Sequence, residues 1–136
     1  MIQALSLSRL ARASWVHVAF AFLAMGGWAV WANRTHGLAH AVVPGLLQGT
    51  LSASLTLGIK RGLEALFRRL SGWTALLLPP LASCAVVLCL LLTAHTLART
   101  PEVWATIAVP YAVSSIYAFV YTAGLAAARR SAEISL

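Results

Sequence analysis

Four stretches of the chain, 13–32, 38–59, 73–98 and 103–128, contain no Asp, Glu, Lys or Arg. Each is long enough to cross a hydrocarbon layer of about 30 Å, which takes roughly 20 helical residues. In that medium a helix satisfies its backbone hydrogen bonds within its own segment. The expected fold is therefore an all-α membrane protein, a four-transmembrane-helix bundle built from two helical hairpins, with 1–136 as a single integral membrane domain. The first run exceeds the apolar core of a signal peptide and leads into Asn33 and Arg34 rather than a soluble domain, so it is expected to be retained. Composition agrees: 60% of the 136 residues are hydrophobic and only 10% charged, against roughly 45–50% apolar in a soluble domain.

The basic residues collect between and beyond these runs in an uneven way. Arg9 and Arg12 precede the first, Lys60, Arg61, Arg68 and Arg69 separate the second and third, and Arg129 and Arg130 follow the fourth. Only Arg34 and Arg99 fall at the opposite ends. Short cytoplasmic loops retain Lys and Arg, so both termini are expected to face the cytoplasm, in a bacterial inner membrane. The net charge of +7 then acts on anionic membrane lipids at that leaflet. No nucleic-acid partner is expected, because no soluble domain exists to shape a groove. Cys84 and Cys89 lie inside the third run at a spacing that forms neither a CxxC pair nor a zinc knuckle, and they read as packing residues.

Residues 60–70, "KRGLEALFRRL", repeat Leu63, Leu66, Phe67 and Leu70 at helical spacing among charges. The pattern predicts a short amphipathic interfacial helix between the second and third spans. The two hairpins also resemble each other weakly. Arg34-Thr35 precedes Pro44 by ten positions from the arginine, and Arg99-Thr100 precedes Pro110 by eleven, as a parallel repeat about an axis along the membrane normal would produce.

Within the spans, polar residues fall into stripes. Pro44, Gln48, Ser52 and Thr56 recur every four positions, and Pro110, Ser114, Tyr117 and Tyr121 follow three-four spacing. Polar groups in a bilayer turn towards protein or water, so the stripes are expected to face each other or a shared interior that binds a substrate or partner. Both prolines are expected to kink their helices. Beside the first stripe runs a ridge of Gly45, Gly49 and Ala53 suited to close helix packing, and Gly26 and Gly27 offer a flat patch on the first span.

His36 and His40 are four apart near the start of the second span, with His95 at similar depth on the third and Glu102 just beyond it. This set is permissive for a metal or for axial haem ligation. The same histidines, with Trp28, Trp31 and Trp104, also make an ordinary interfacial belt. The belt is the primary expectation, with no cofactor and no metal. His17 lies too far away in depth to join the set.

No buried carboxylate, phosphate loop or nucleophile elbow appears, so an enzyme is not expected. Three functions remain compatible with the sequence. The first is an accessory or structural subunit that packs against a membrane-protein partner or a second copy of itself. The second is a carrier or flippase for an amphiphilic anion, such as a lipid phosphate or lipid-linked substrate, with Arg34 and Arg99 flanking an outer mouth as bidentate anion binders. The third is a His-ligated metal or haem protein.

Overall fold

The computed structural model describes the backbone of residues 2–135 and the side chains of residues 15–135. Four helices account for nearly all of it: α1 (Ile2–Ala32), α2 (Leu38–Arg68), α3 (Gly72–Leu97) and α4 (Val103–Ile134). A 3-10 turn at Arg34–His36 joins α1 to α2. Each helix contains a stretch long and apolar enough to cross a membrane. At 1.5 Å per residue, the 31 residues of α2 extend about 46 Å, well past the hydrocarbon layer.

The α1–α2 and α3–α4 links share one end of the bundle, here the hairpin end. The α2–α3 link, the start of α1 and the end of α4 share the other, the basic end. Helix α1 packs on α2 and α4, and α3 packs on the same two, while α1 and α3 do not meet among the described residues. Helices α2 and α4 are thus the short diagonal. Val87, Leu91 and Ile107 are buried at the α3–α4 contact, with Leu51, Leu55 and Ile59 of α2 packed against them.

The contact of α1 with α2 is made backbone to backbone. A Cβ on Gly26 would lie 2.8 Å from the Gly45 carbonyl oxygen, and one on Gly49 would lie 2.9 Å from the Phe22 carbonyl oxygen. Neither oxygen belongs to a side chain that can swing aside, so glycine is what allows this separation. Ala53, the third member of the ridge, is half-buried, and Gly27 faces open space.

The segment 60–70 departs from its expected form. It is helical through Arg68, but as the last turns of α2 rather than as a separate interfacial helix. No proline interrupts 45–68, so continuing the hydrogen-bond ladder costs less than breaking it; Gly58 and Gly62 only weaken helix propensity. Leu63 and Phe67 are 2% and 5% exposed, so the apolar face packs on the bundle. Arg129 of α4 closes this end by donating to the Phe67 and Leu70 carbonyls at 3.0 and 3.1 Å. Its guanidinium lies 4.0 Å from the centroid of the Phe67 ring, a cation–π contact.

The two Arg-Thr turns also differ locally. Arg34 sits in the 3-10 turn, whereas Arg99 has φ +53°. The Arg99 amide bonds to the Thr96 carbonyl at 3.1 Å and the Thr100 amide to the His95 carbonyl at 3.0 Å. That pair of bonds is the Schellman ending of a helix, with arginine in the left-handed position usually held by glycine. Pro44 and Pro110 are buried inside α2 and α4.

Candidate functional site: clamps at the hairpin end, a cavity at the basic end

Two hydrogen-bonded clamps lock the hairpin end, and each joins one hairpin to the other. Asn33, fully buried after α1, donates from Nδ2 to the Ala29 carbonyl at 2.9 Å and to Thr106 Oγ1 at 2.7 Å. Its Oδ1 accepts the Glu102 amide at 3.0 Å, at the start of α4. The Thr106 hydroxyl in turn donates to the Glu102 carbonyl. Beside this clamp, Trp28 Nε1 donates to the Ala105 carbonyl at 2.9 Å.

The second clamp joins α3 to α2. His95 is fully buried, with Nε2 2.8 Å from Gln48 Oε1 and Nδ1 2.9 Å from Thr100 Oγ1. Gln48 Nε2 donates onward to Ser52 Oγ at 2.9 Å. With the Gln48 amide in that orientation its oxygen only accepts, so His95 carries its proton on Nε2 and receives the Thr100 hydroxyl at Nδ1. The result is a directed chain, Thr100 to His95 to Gln48 to Ser52, in which each bond polarises the next.

The structure does not bring the three histidines together. His95 is committed to its clamp, His36 pairs with Glu102 at 2.9 Å on the exposed surface, and His40 is exposed. Among the described residues no group of three His, Cys, Asp or Glu side chains is placed to hold a metal. The two arginines have separate local settings. Arg34 donates to the Trp31 carbonyl at 2.7 Å and lies 4.0 Å from that ring's centroid, while the Arg99 side chain is exposed.

Below the clamps, α1, α2 and α4 separate around a cavity of about 700 Å³, within the range of small-ligand sites. Phe20, Ala21 and Met25 of α1 line it, with Leu55 and Ile59 of α2 and Val113 of α4. The lower halves of both polar stripes open onto it: Ser52 and Thr56 from α2, Ser114 and Tyr117 from α4. Thr56 and Ser114 donate to the Ser52 and Pro110 carbonyls of their own helices, each at 2.8 Å, which leaves hydroxyl lone pairs as acceptors. Lys60, Arg61 and Glu64 line the basic end. Tyr121, the last member of the α4 stripe, is not among the residues that line the cavity and donates its hydroxyl to Glu64 Oε1. A narrower groove of about 360 Å³ between α2 and α3, lined by residues such as Gly58, Gly62 and Pro79, is almost wholly apolar.

The stripes therefore divide. Gln48 belongs to a clamp with α3, a partner that the spacing along α2 did not disclose, and Ser52 is the junction between clamp and cavity. Asn33, Thr106 and Thr100 carry polar contacts that their spacing in the sequence does not disclose, and Glu64, for which the i,i+4 spacing predicts a pair with Arg68, is bonded by Tyr121 instead. The one available signal was chemical: a polar amide directly at the end of an apolar run needs a partner.

Four long apolar helices around a partly hydroxyl-lined cavity define a small helical protein of the membrane-spanning type. No protein-family model, curated protein or solved structure matches the chain.

Proposed function

We propose that this protein is a non-enzymatic carrier that takes an amphiphilic anion, a lipid phosphate or lipid-linked anion, into the cavity between α1, α2 and α4. One observation carries this reading: a cavity of ligand size joins apolar walls to a hydroxyl-lined floor and to Lys60 and Arg61 at its basic end. The apolar walls suit an acyl or prenyl chain, and the two cations suit its phosphate. The Lys and Arg distribution supports a cytoplasmic basic end with both termini on that side, so the ligand enters from the cytoplasmic leaflet. The clamps keep the hairpin end shut in this state, and release of the ligand on the far side requires them to part.

The glycine ridge bears on the accessory-subunit reading. Gly45 and Gly49 are already covered by Val30, Gly26 and Phe22 of α1, so that surface is not offered to a partner. Lipid extraction from the purified protein tests the proposal. A phosphate-bearing amphiphile retained by the native chain and lost from a Lys60→Ala/Arg61→Ala variant is the expected result. Stoichiometric recovery of another membrane protein, with bound lipid indifferent to those two residues, would favour the accessory role instead. Reporter tags at Met1 and Leu136 test the orientation, and both are expected to report the cytoplasm.

A further inference from the structure

We infer that the phosphate-bearing amphiphile of this cavity carries a primary ammonium group next to its phosphate, so that the anionic group proposed above is one half of a zwitterion, and that Glu64 receives the ammonium. The inference rests on the cavity being an amphiphile site. The chain has three acidic residues, and Glu64 is the acidic residue that lines the cavity. It sits on α2 with Lys60 and Arg61 a turn before it and Arg68 a turn after. Residues so spaced are neighbours on a helix surface, with Cβ atoms about 5–6 Å apart. Among the described lysines and arginines, however, none forms an ion pair with Glu64. Its hydrogen bond comes from a neutral donor on another helix, the Tyr121 hydroxyl.

That arrangement has a chemical consequence. A hydroxyl orients one carboxylate oxygen without neutralising it, and the carboxylate keeps further acceptor sites. A purely anionic head group drawn to Lys60 and Arg61 would meet this negative charge one helical turn away, which is unfavourable. A head group whose phosphate and ammonium are joined by a two-carbon arm instead carries opposite charges close enough to meet side chains that are i,i+4 neighbours on one helix. The Tyr117 ring adds a second feature that suits a cation. It lines the cavity and stacks on Tyr121 with centroids 5.4 Å apart, and aromatic faces attract ammonium groups. The recognised chemistry is thus a phosphoethanolamine group.

The test compares phosphatidylethanolamine with phosphatidylglycerol of identical acyl chains, bound to the full-length protein in detergent and read by native mass spectrometry. Wild type is expected to prefer the ethanolamine lipid about fivefold, the ratio expected from one partly solvated ion pair. In Glu64→Gln the preference disappears while phosphatidylglycerol binding is kept or strengthened. Free phosphoethanolamine competes if the head group alone is the ligand and fails to compete if the lipid is, and either result upholds the proposal once the preference is seen. Equal or tighter binding of phosphatidylglycerol by wild type overturns the zwitterion and leaves the anion reading standing, a comparison that does not depend on any variant folding. Binding of both lipids untouched by Lys60→Ala/Arg61→Ala overturns the cavity reading, and this inference with it.

Discussion

The two ends of the bundle use the same kinds of side chain to opposite effect. At the hairpin end Asn33, His95, Gln48 and Thr106 are fully buried, and each has at least one partner from the other hairpin. At the basic end Thr56 and Ser114 bond only to their own helices and present themselves to an open space. What differs is the separation of the helices. Glycine brings α1 against α2 near the hairpin end, whereas around the cavity the three helices leave a space between them, and α4 meets α2 again through Tyr121 and Arg129. A polar stripe on one helix face therefore has no fixed meaning. It acts as a fastener where a complementary helix is near and as a binding surface where none is.

The contrast predicts a stability gradient. The largest effect is expected for Gly26→Leu, whose added atoms meet the Gly45 carbonyl and must push α1 from α2. Overpacking of this kind costs about 3 kcal/mol or more. Gly58→Ala, on α2 towards the basic end, has nothing within 4 Å of the added Cβ and is expected to gain up to about 1 kcal/mol from helix propensity. Unfolding of the two variants in the same detergent compares them directly, and a similar loss for both would abolish the proposed difference between the ends.

Asn33→Leu is next, at about 2–3 kcal/mol, because it leaves the Glu102 amide without its acceptor and the Thr106 oxygen without a donor. Its mark is selective, since α4 should loosen at residues 103–106 before the rest, as hydrogen exchange would show. Uniform loosening of all four helices would argue against a local clamp.

A smaller effect is expected for Gln48→Leu and for His95→Leu, about 1–2 kcal/mol each. The double variant should be less damaging than their sum by about 1 kcal/mol, the scale of coupling between hydrogen-bonded side chains in membrane proteins. Thr56→Val, one stripe position beyond Ser52, should stay within about 0.5 kcal/mol of wild type. Additive losses in the cycle would mean that the chain from Thr100 to Ser52 is not a unit.

The smallest effect carries the opposite sign. Arg99→Gly relieves a left-handed residue that is not glycine and is expected to stabilise by up to about 1 kcal/mol. Thermal midpoints measured with and without phosphate sharpen the point. A gain independent of phosphate assigns the position to the helix ending, while a loss of phosphate-dependent stabilisation in the variant would assign the side chain to an anion.

The number and placement of the spans were legible because charge is so costly in hydrocarbon that four charge-free runs admit little else. The continuity of α2 was less legible. The same spacing of Leu63 and Phe67 serves a helix lying in the interface or one packed on a bundle, and only the neighbouring Arg129 and α3 decide it. The stripes were visible as faces of helices, but which neighbour each half meets depends on how the helices diverge. For Asn33 the difficulty was distance along the chain, since its partners lie 69 and 73 residues away. His95 was ambiguous in kind, because an imidazole near a helix end suits a belt, a metal or a buried hydrogen bond equally well until Gln48 is seen opposite.

Those long separations bear on how the protein is made. Helices leave the ribosome in order, so when α1 and α2 have closed on their glycines, the Asn33 amide has the Ala29 carbonyl as its one partner from the residues already synthesised. The Glu102 amide and the Thr106 hydroxyl arrive only with the last span. The first hairpin is thus inserted with an unfinished polar edge, and α4 completes it. Any product that stops before α4 carries that edge exposed, a chemical mark by which an incomplete chain differs from a finished one.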